Sequence, residues 1–509
     1  MSNKNKASIH RLSTGVPGLD KVLGGGLPEF SFNLIAGTPG SGKTTLAHQI
    51  MFALATPERP ALYFTVLGEP PLKMLRYQQQ FSFFDETALN QRVRFLNLSD
   101  DAMTGDLDRV LQRIVSEVAK YSPGLVFVDS FRSVVVASEG RPLTSLQLFV
   151  QQLGMVMTSW QATTFLLGEY FNENDANPVF TVADGLIWLR QSVQRNSMVR
   201  KLEIMKMRGQ PTLPGLHSFR IGADGVRVFA AAQRPALDNA ADHAGISRFP
   251  GRALLGLPVL DAMLGGGLPR GHSLLVAGPS GSGKSILAAA FLAAGVKAGE
   301  QGVVGAFEQQ PHPRRHPRLM HLLDGGSVGL IDSRQGDLSI DEVTSLILDE
   351  VRQRKATRVV LDSLSGFELA LAPTFRPDFR ESLLGLVTVL ANEGVTVLMT
   401  SELEDRYTDL RFSPYGAAFL TDAIIVQRYV EVDSRLLRMM AVVKVRNSMH
   451  SDEMRAYSID DSGIVMGDAM PDLTGLLGGR PTRLPATVAG EDAAPIPDGS
   501  LNPHPSSSS

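Results

Sequence analysis

Residues 37–44 read GTPGSGKT, and residues 278–285 read GPSGSGKS. Both fit the phosphate-loop pattern GxxxxGK[ST]. Each follows a short apolar run ending in glycine, FNLIAG (32–37) and SLLVAG (273–278). Each runs on into an apolar-rich stretch of helical length, TTLAHQIMFALA and SILAAAFLAAGV. Strand, glycine-rich turn and helix make up the context that gives the pattern its physical meaning. Glycine admits the positive φ values that let backbone N–H groups curl around a phosphate, and the helix N-terminus adds partial positive charge. The pattern predicts one cradle from Gly37, Thr38, Pro39, Gly40, Ser41, Gly42, Lys43, Thr44 and Thr45. It predicts a second from Gly278, Pro279, Ser280, Gly281, Ser282, Gly283, Lys284 and Ser285. Lys43 and Lys284 are expected to reach the β- and γ-phosphates, and Thr44 and Ser285 to offer hydroxyls to Mg2+. The expected ligands are therefore ATP and Mg2+.

The loops are the loudest part of a longer repeat. GVPGLDKVLGGGLP (15–28) matches GLPVLDAMLGGGLP (256–269), and Asp20 and Asp261, Gly24 and Gly265, and Lys43 and Lys284 are all separated by the same number of residues. A period of about 240 residues far exceeds the roughly 20–50 of a solenoid and points to two tandem domains of one fold. The expected division is a flexible 1–9, a first domain at 10–230, a linker at 231–247, a second domain at 248–470 and a disordered tail at 471–509. The linker, AAQRPALDNAADHAGIS, is rich in Ala and polar residues. The tail is rich in Gly, Pro and Ser, and buries too little apolar surface to offset its ordering entropy.

Composition narrows the classes. The chain has 509 residues, 43% hydrophobic and 20% charged, as expected of a folded protein. Lys+Arg is 49 against Asp+Glu 52, a net charge of −3, which weighs against bulk attraction to nucleic acid. Cysteine is absent, which excludes disulfides, thiolate metal sites and a cysteine nucleophile. No apolar run reaches the ~18–20 residues that span a bilayer, and MSNKNKASIHRLSTG has no apolar stretch behind its lysines, so a cytoplasmic protein without membrane contact is expected.

Further strands follow in matching order: ALYFTVL (61–67) and GVVGAF (302–307), GLVFVDS (124–130) and RVVLDS (358–363), TTFLLGE (163–169) and VTVLMTSE (395–402). Each half closes on a hairpin, 186–208 and 423–446. The fold class expected is α/β, with two tandem duplicated P-loop domains, each a mostly parallel sheet flanked by helices. Asp129 and Asp362 end their strands where such sheets bind ligands and are candidates to orient Mg2+. The alternative is a helix cap, since Ser follows each. Glu308, in AFEQQP, is the candidate general base of the second half, and the first half has only Glu69, in TVLGEPP. The basic run PHPRRHPR (311–318), the segment KMLRYQQQFSFF (73–84), Trp160 and Trp188 are read as surface turn and packing.

Together these motifs resemble the KaiC family of circadian-clock ATPases, within the wider RecA-like group, over about residues 10–483, which implies tandem duplicated RecA-like P-loop NTPase domains. The resemblance implies double-domain homo-hexamers with ATP between subunits, a slow ATPase in the first ring and a Ser/Thr autokinase in the second. It implies paired catalytic glutamates. Glu308 matches the first and Gln309 replaces the second, while Leu67 and Gly68 occupy both places in the first domain. It implies cations lent by the neighbouring subunit, matched by Lys206 and Arg208 in EIMKMRG and by Lys444 and Arg446 in VVKVRN. The plain alternative for these is a pair of surface cations on a hairpin.

In SPYGAAFLTDAII, Ala418 and Phe419 stand where the family's phosphate acceptors belong. Ser413 and Thr421 lie at other positions, so a two-site autophosphorylation cycle is expected to be absent. GGRPTR (478–483) resembles the family's C-terminal regulatory peptide. A clock-like or two-component signalling protein is the kind of partner implied. Two other functions stay open: a DNA-acting RecA-like recombinase or helicase-type motor, and a low-turnover nucleotide-binding signalling scaffold.

Overall fold

The apolar runs become the centres of two nine-stranded sheets in the computed structural model. It describes residues 9–66, 71–137, 143–171, 177–194, 197–230, 249–307, 311–312, 316–331, 338–373, 375–403, 421–469, 473–474 and 482–483. The linker 231–247, Leu67, Gly68, Glu69, Glu308, Gln309, Ser413, Ala418 and Phe419 lie outside the described residues. So does most of the tail, of which Leu473–Thr474 pairs with Thr482–Arg483.

The first domain contains β1 (Phe32–Gly37), α1 (Lys43–Leu54), β2 (Ala61–Thr65), β3 (Val93–Asn97), α2 (Leu107–Tyr121), β4 (Leu125–Asp129), α3 (Leu143–Ser159), β5 (Thr163–Glu169), β6 (Gly185–Gln194), β7 (Ser197–Met207), β8 (Leu216–Gly222) and β9 (Gly225–Phe229). The sheet order is β9-β8-β7-β6-β1-β5-β4-β2-β3. From β3 to β6 the strands run parallel, and from β6 to β9 they turn back antiparallel.

The second domain contains β10 (Ser273–Gly278), α4 (Lys284–Lys297), β11 (Gly302–Ala306), β12 (Val328–Ile331), α5 (Ile340–Arg354), β13 (Arg358–Asp362), α6 (Phe379–Asn392), β14 (Thr396–Glu402), β15 (Ala423–Val432), β16 (Arg435–Val445), β17 (Met454–Asp460) and β18 (Gly463–Ala469). Its order, β12-β11-β13-β14-β10-β15-β16-β17-β18, repeats the first.

The near-continuous apolar reading of the central strands has a simple cause, because both faces are covered. On one face Ile35, Tyr63, Phe127 and Phe165 pack with Leu46, Ile50 and Met51 of α1. On the other, Leu34, Phe64, Val126 and Leu166 pack with Val110 and Ile114 of α2 and with Phe149 and Leu153 of α3. The matching aspartates of the opening segments are structural ties. Asp20 accepts hydrogen bonds from the Thr14 backbone (2.9 Å) and from the Thr14 and Ser13 hydroxyls (both 2.6 Å), and Asp261 accepts from the Leu255 N–H at 2.7 Å. The two domains meet through ion pairs from β8 and β9 to α5, Arg220 with Glu342 and Arg227 with Asp349. No helix among the described residues is long and apolar enough to cross a membrane.

Candidate nucleotide sites

Parallel pairing brings the first phosphate loop to a shared sheet edge. Gly37 is level with Glu169 on one side and Leu189 on the other, and Thr65 is level with Asp129. The chain then turns through Gly40 (φ 75°) and Gly42 (φ 101°), a backbone region that side chains resist. A Cβ on Gly42 would also sit 2.6 Å from Ile221 Cδ1. Helix α1 starts there with no side-chain cap. By contrast, Asp106 caps α2, and Ser339 with Glu342 forms a capping box on α5. The first N–H groups of α1 therefore face the loop without a side-chain acceptor, the arrangement that receives an anion. Thr38 Oγ1 and Ser41 Oγ are buried there with no hydrogen-bond partner among the described residues.

Lys43 Nζ donates to the carbonyls of Gly37 (3.1 Å) and Thr38 (2.9 Å). Burial holds its pKa below the ordinary lysine value, opposed by the charges of Glu169 and Asp129. Thr44 Oγ1 donates to Asp129 Oδ2 at 2.9 Å, and the Tyr63 hydroxyl donates to the same oxygen at 2.7 Å. Burial raises the Asp129 pKa, while these two hydroxyls and Lys43 pull it down. Lys43, Thr44, Thr45, Asp129, Glu169 and Ile221 line one cleft of about 340 Å³.

The second loop repeats this plan with different neighbours. Gly281 and Gly283 have φ of 76° and 99°. Lys284 Nζ donates to the carbonyls of Gly278 and Pro279, each at 2.9 Å. Ser282 donates to Gln427 Oε1 at 2.9 Å, and the Tyr457 hydroxyl donates to the Ser282 carbonyl at 2.6 Å. Ser285 lies on the first turn of α4. Asp362 accepts from the Thr400 hydroxyl. The helix-cap alternative falls to its neighbour: Ser363 accepts from the Gly366 N–H and caps the helix Leu364–Ala370. Both Asp129–Ser130 and Asp362–Ser363 are cis peptides.

Among the side chains at these edges that were not singled out from the sequence are Glu169, Glu402, Tyr63 and Thr400. Glu169 and Glu402 close β5 and β14 level with Gly37 and Gly278. Their signal was there, since TTFLLGE and TVLMTSE end in the same acid, but it reads equally as a strand end. Tyr63 had no signal at all, because its partner is fixed by sheet register.

The donor set suits magnesium. Hydroxyl and carboxylate oxygens stand together at the loop, and no cluster of three or more His, Cys, Asp or Glu suited to a metal occurs among the described residues. This fits an ion held by one or two protein oxygens together with substrate phosphates.

The hairpin cations sit elsewhere. Lys206 Nζ donates to the Thr181 carbonyl at 3.0 Å, Arg208 pairs with Asp184 at 2.9 Å, and Arg446 pairs with Asp422 at 3.5 Å. Burial and the neighbouring arginine lower the pKa of both Lys206 and Lys444. Met207 is level with Gly185 and hence with Asn33, at the start of β1, whereas the loop leaves from Gly37. Lys206 is level with Leu186 and hence with Leu34, and Lys444 with Ile424 and hence with Leu275, so three residues of strand, about 10 Å, separate each lysine from the glycine of its own loop.

Comparison with known proteins gives a consistent result. The ATPase family model KaiC matches residues 12–233 and again residues 254–470. The circadian clock oscillator protein KaiC of Picosynechococcus sp. is 27% identical over 493 residues, covering 94% of this chain and 93% of the relative. That of Rippkaea orientalis is also 27% identical over 493 residues, covering 94% and 92%. The circadian clock oscillator protein KaiC 1 of Synechocystis sp. is 26% identical over 496 residues, covering 94% and 93%.

Proposed function

The chain belongs to the KaiC family of ATPases, and we propose that it is a Mg2+-dependent, ring-forming ATPase whose hydrolysis is coupled to ring conformation and partner binding. The observation that carries this reading is the split of charges across each sheet. The loop, its lysine and a strand-terminal acid stand at one edge, and the hairpin cations stand at the other. Cations that far from their own loop serve catalysis only by reaching the loop of another subunit, so the site is completed by assembly, as a homo-hexamer.

Thr44 with Asp129, and Ser285 with Asp362, would hold magnesium, which when bound would neutralise phosphate charge. The backbone N–H groups of each loop, with Lys43 or Lys284, bind and orient the phosphates. In the second domain Glu308 follows β11, the strand that brings Ala306 level with Asp362. It takes the proton of a water whose oxygen attacks the γ-phosphorus as the bond to the ADP oxygen breaks. Lys206 and Arg208, or Lys444 and Arg446, lent by the neighbour, stabilise charge on the transferring group. With Leu67 and Gly68 at the family's glutamate positions, the first domain hydrolyses ATP only if Glu69 or a water network takes over the base's role. With Ala418 and Phe419 at the acceptor positions, no two-site autophosphorylation cycle operates. The partner is a clock-like or two-component signalling protein.

The test is ADP release by the wild type, Lys43→Ala, Lys284→Ala and Glu308→Gln. Glu308→Gln should keep bound ATP while losing about 10²-fold or more of the second domain's turnover. Wild-type turnover in that variant would remove Glu308 as the base, and a wild type that forms no ADP would favour the scaffold function.

A further inference from the structure

We propose that Tyr63 in the first domain and Thr400 in the second are positioning residues that orient the acid of each magnesium site. The inference rests on the Mg2+-ATP reading above. The two domains repeat each other strand for strand, yet this contact is built from different positions. Tyr63 is on β2, two residues past Ala61, and Ala61 is level with Leu125. The matching residue on β11 is Val304, which has no hydroxyl. Thr400 is on β14, two residues before the glutamate level with the loop glycine. The matching residue on β5 is Leu167. So the first domain delivers its hydroxyl from one strand beside the acid, and the second delivers it from the opposite one. The residue has changed and the bond has been kept. General packing of the core has no need of that outcome, since Val304 and Leu167 fill the vacated places with carbon.

The chemistry supplies the need. Asp129 is buried, and a carboxylate taken out of water needs donors to stay ionised and to hold one orientation. Thr44 is one donor, but its hydroxyl would turn to the ion when magnesium is bound. Tyr63 then remains to fix the carboxylate from behind. Its ring is locked between Phe127 (5.7 Å, stacked), His48 (4.7 Å) and Phe95 (5.2 Å), so the hydroxyl has one direction. Burial and the charge of Asp129 raise the phenol's pKa well above its ordinary value, so it keeps the proton it donates. Groups that orient a metal ligand from behind typically matter about 10–100-fold in metal affinity.

The experiment titrates Mg2+ against binding of a fluorescent ATP analogue to the full chain carrying Lys284→Ala, so that the first site reports alone. Tyr63→Phe keeps the ring and should raise the Mg2+ midpoint about 10-fold, with Mg2+-free nucleotide binding unchanged. Adding Leu167→Thr to Tyr63→Phe places a hydroxyl where Thr400 stands in the other domain and should bring the midpoint back. In the Lys43→Ala chain, Thr400→Val should raise the second site's midpoint in the same way, an arm that stands if the Leu167 variant fails to fold. Unchanged midpoints in Tyr63→Phe and Thr400→Val, or a shift that a folded Leu167→Thr chain does not reverse, overturn the proposal while leaving the ATPase reading intact. Mg2+-independent binding in chains with Tyr63 and Thr400 intact would overturn both.

Discussion

His48 and Lys43 lie on one helix, and burial acts on both. His48 is fully buried among Tyr63, Phe95 and Phe52, and its pKa falls to about 3, burial being opposed only in part by the Gln78 amide. A folded pKa below the ordinary 6.5 means that the unfolded chain binds the extra proton between those values. The stabilisation is therefore complete above pH 6.5 and is lost as pH falls toward 3. His48→Leu should flatten the acid slope of first-domain stability by up to about 1.4 kcal/mol per pH unit, read from urea midpoints between pH 6.5 and pH 4. An unchanged slope would mean that other groups carry the acid sensitivity. At this scale the loop residues were legible because the motif fixes both their identity and their spacing. Tyr63 was not, because its value depends on Phe127 and Asp129, which meet it only when strands about sixty residues apart come into register.

Helix ends separate structure from binding. Helix α5 opens with a closed capping box in which the Glu342 N–H donates to Ser339 Oγ at 3.1 Å, while α1 and α4 open on Gly42 and Gly283 with no side-chain cap. Ser339→Ala should cost about 1 kcal/mol, seen as a lower denaturant midpoint for the second domain. No loss would mean that the Arg220–Glu342 pair alone holds this end. The central strands were readable because both faces are apolar. Val93–Asn97 and Val328–Ile331 escaped notice as the outer parallel strands. Each lies at a sheet edge, and the first has only Val93 fully buried, so its apolar run is short and broken. The hairpins at 186–208 and 423–446 were read correctly, but the strands that widen each sheet beyond them, β8 and β9 or β17 and β18, are broken by charged residues such as Arg220, Arg227, Arg455 and Asp468 and carry no comparable run.

Over the whole chain, duplication dominates. Two sheets of one order, two glycine-turned loops and two hairpins with their cations toward the far edge support the proposal of two nucleotide sites, each completed by a neighbouring subunit. The resemblance implies the roles proposed for those cations, and the sheet register, which sets them toward the edge opposite their own loop, supports that proposal. The candidate base Glu308, and the lesser candidate Glu69, are proposed from sequence order alone. The account stands on two independent anion cradles per chain, and equilibrium binding of ATP with Mg2+ measures them directly. The expected result is two nucleotides per chain in the wild type, one in Lys43→Ala or Lys284→Ala, and none when both lysines are replaced. Fewer than two in the wild type, or two retained in the double variant, would contradict it.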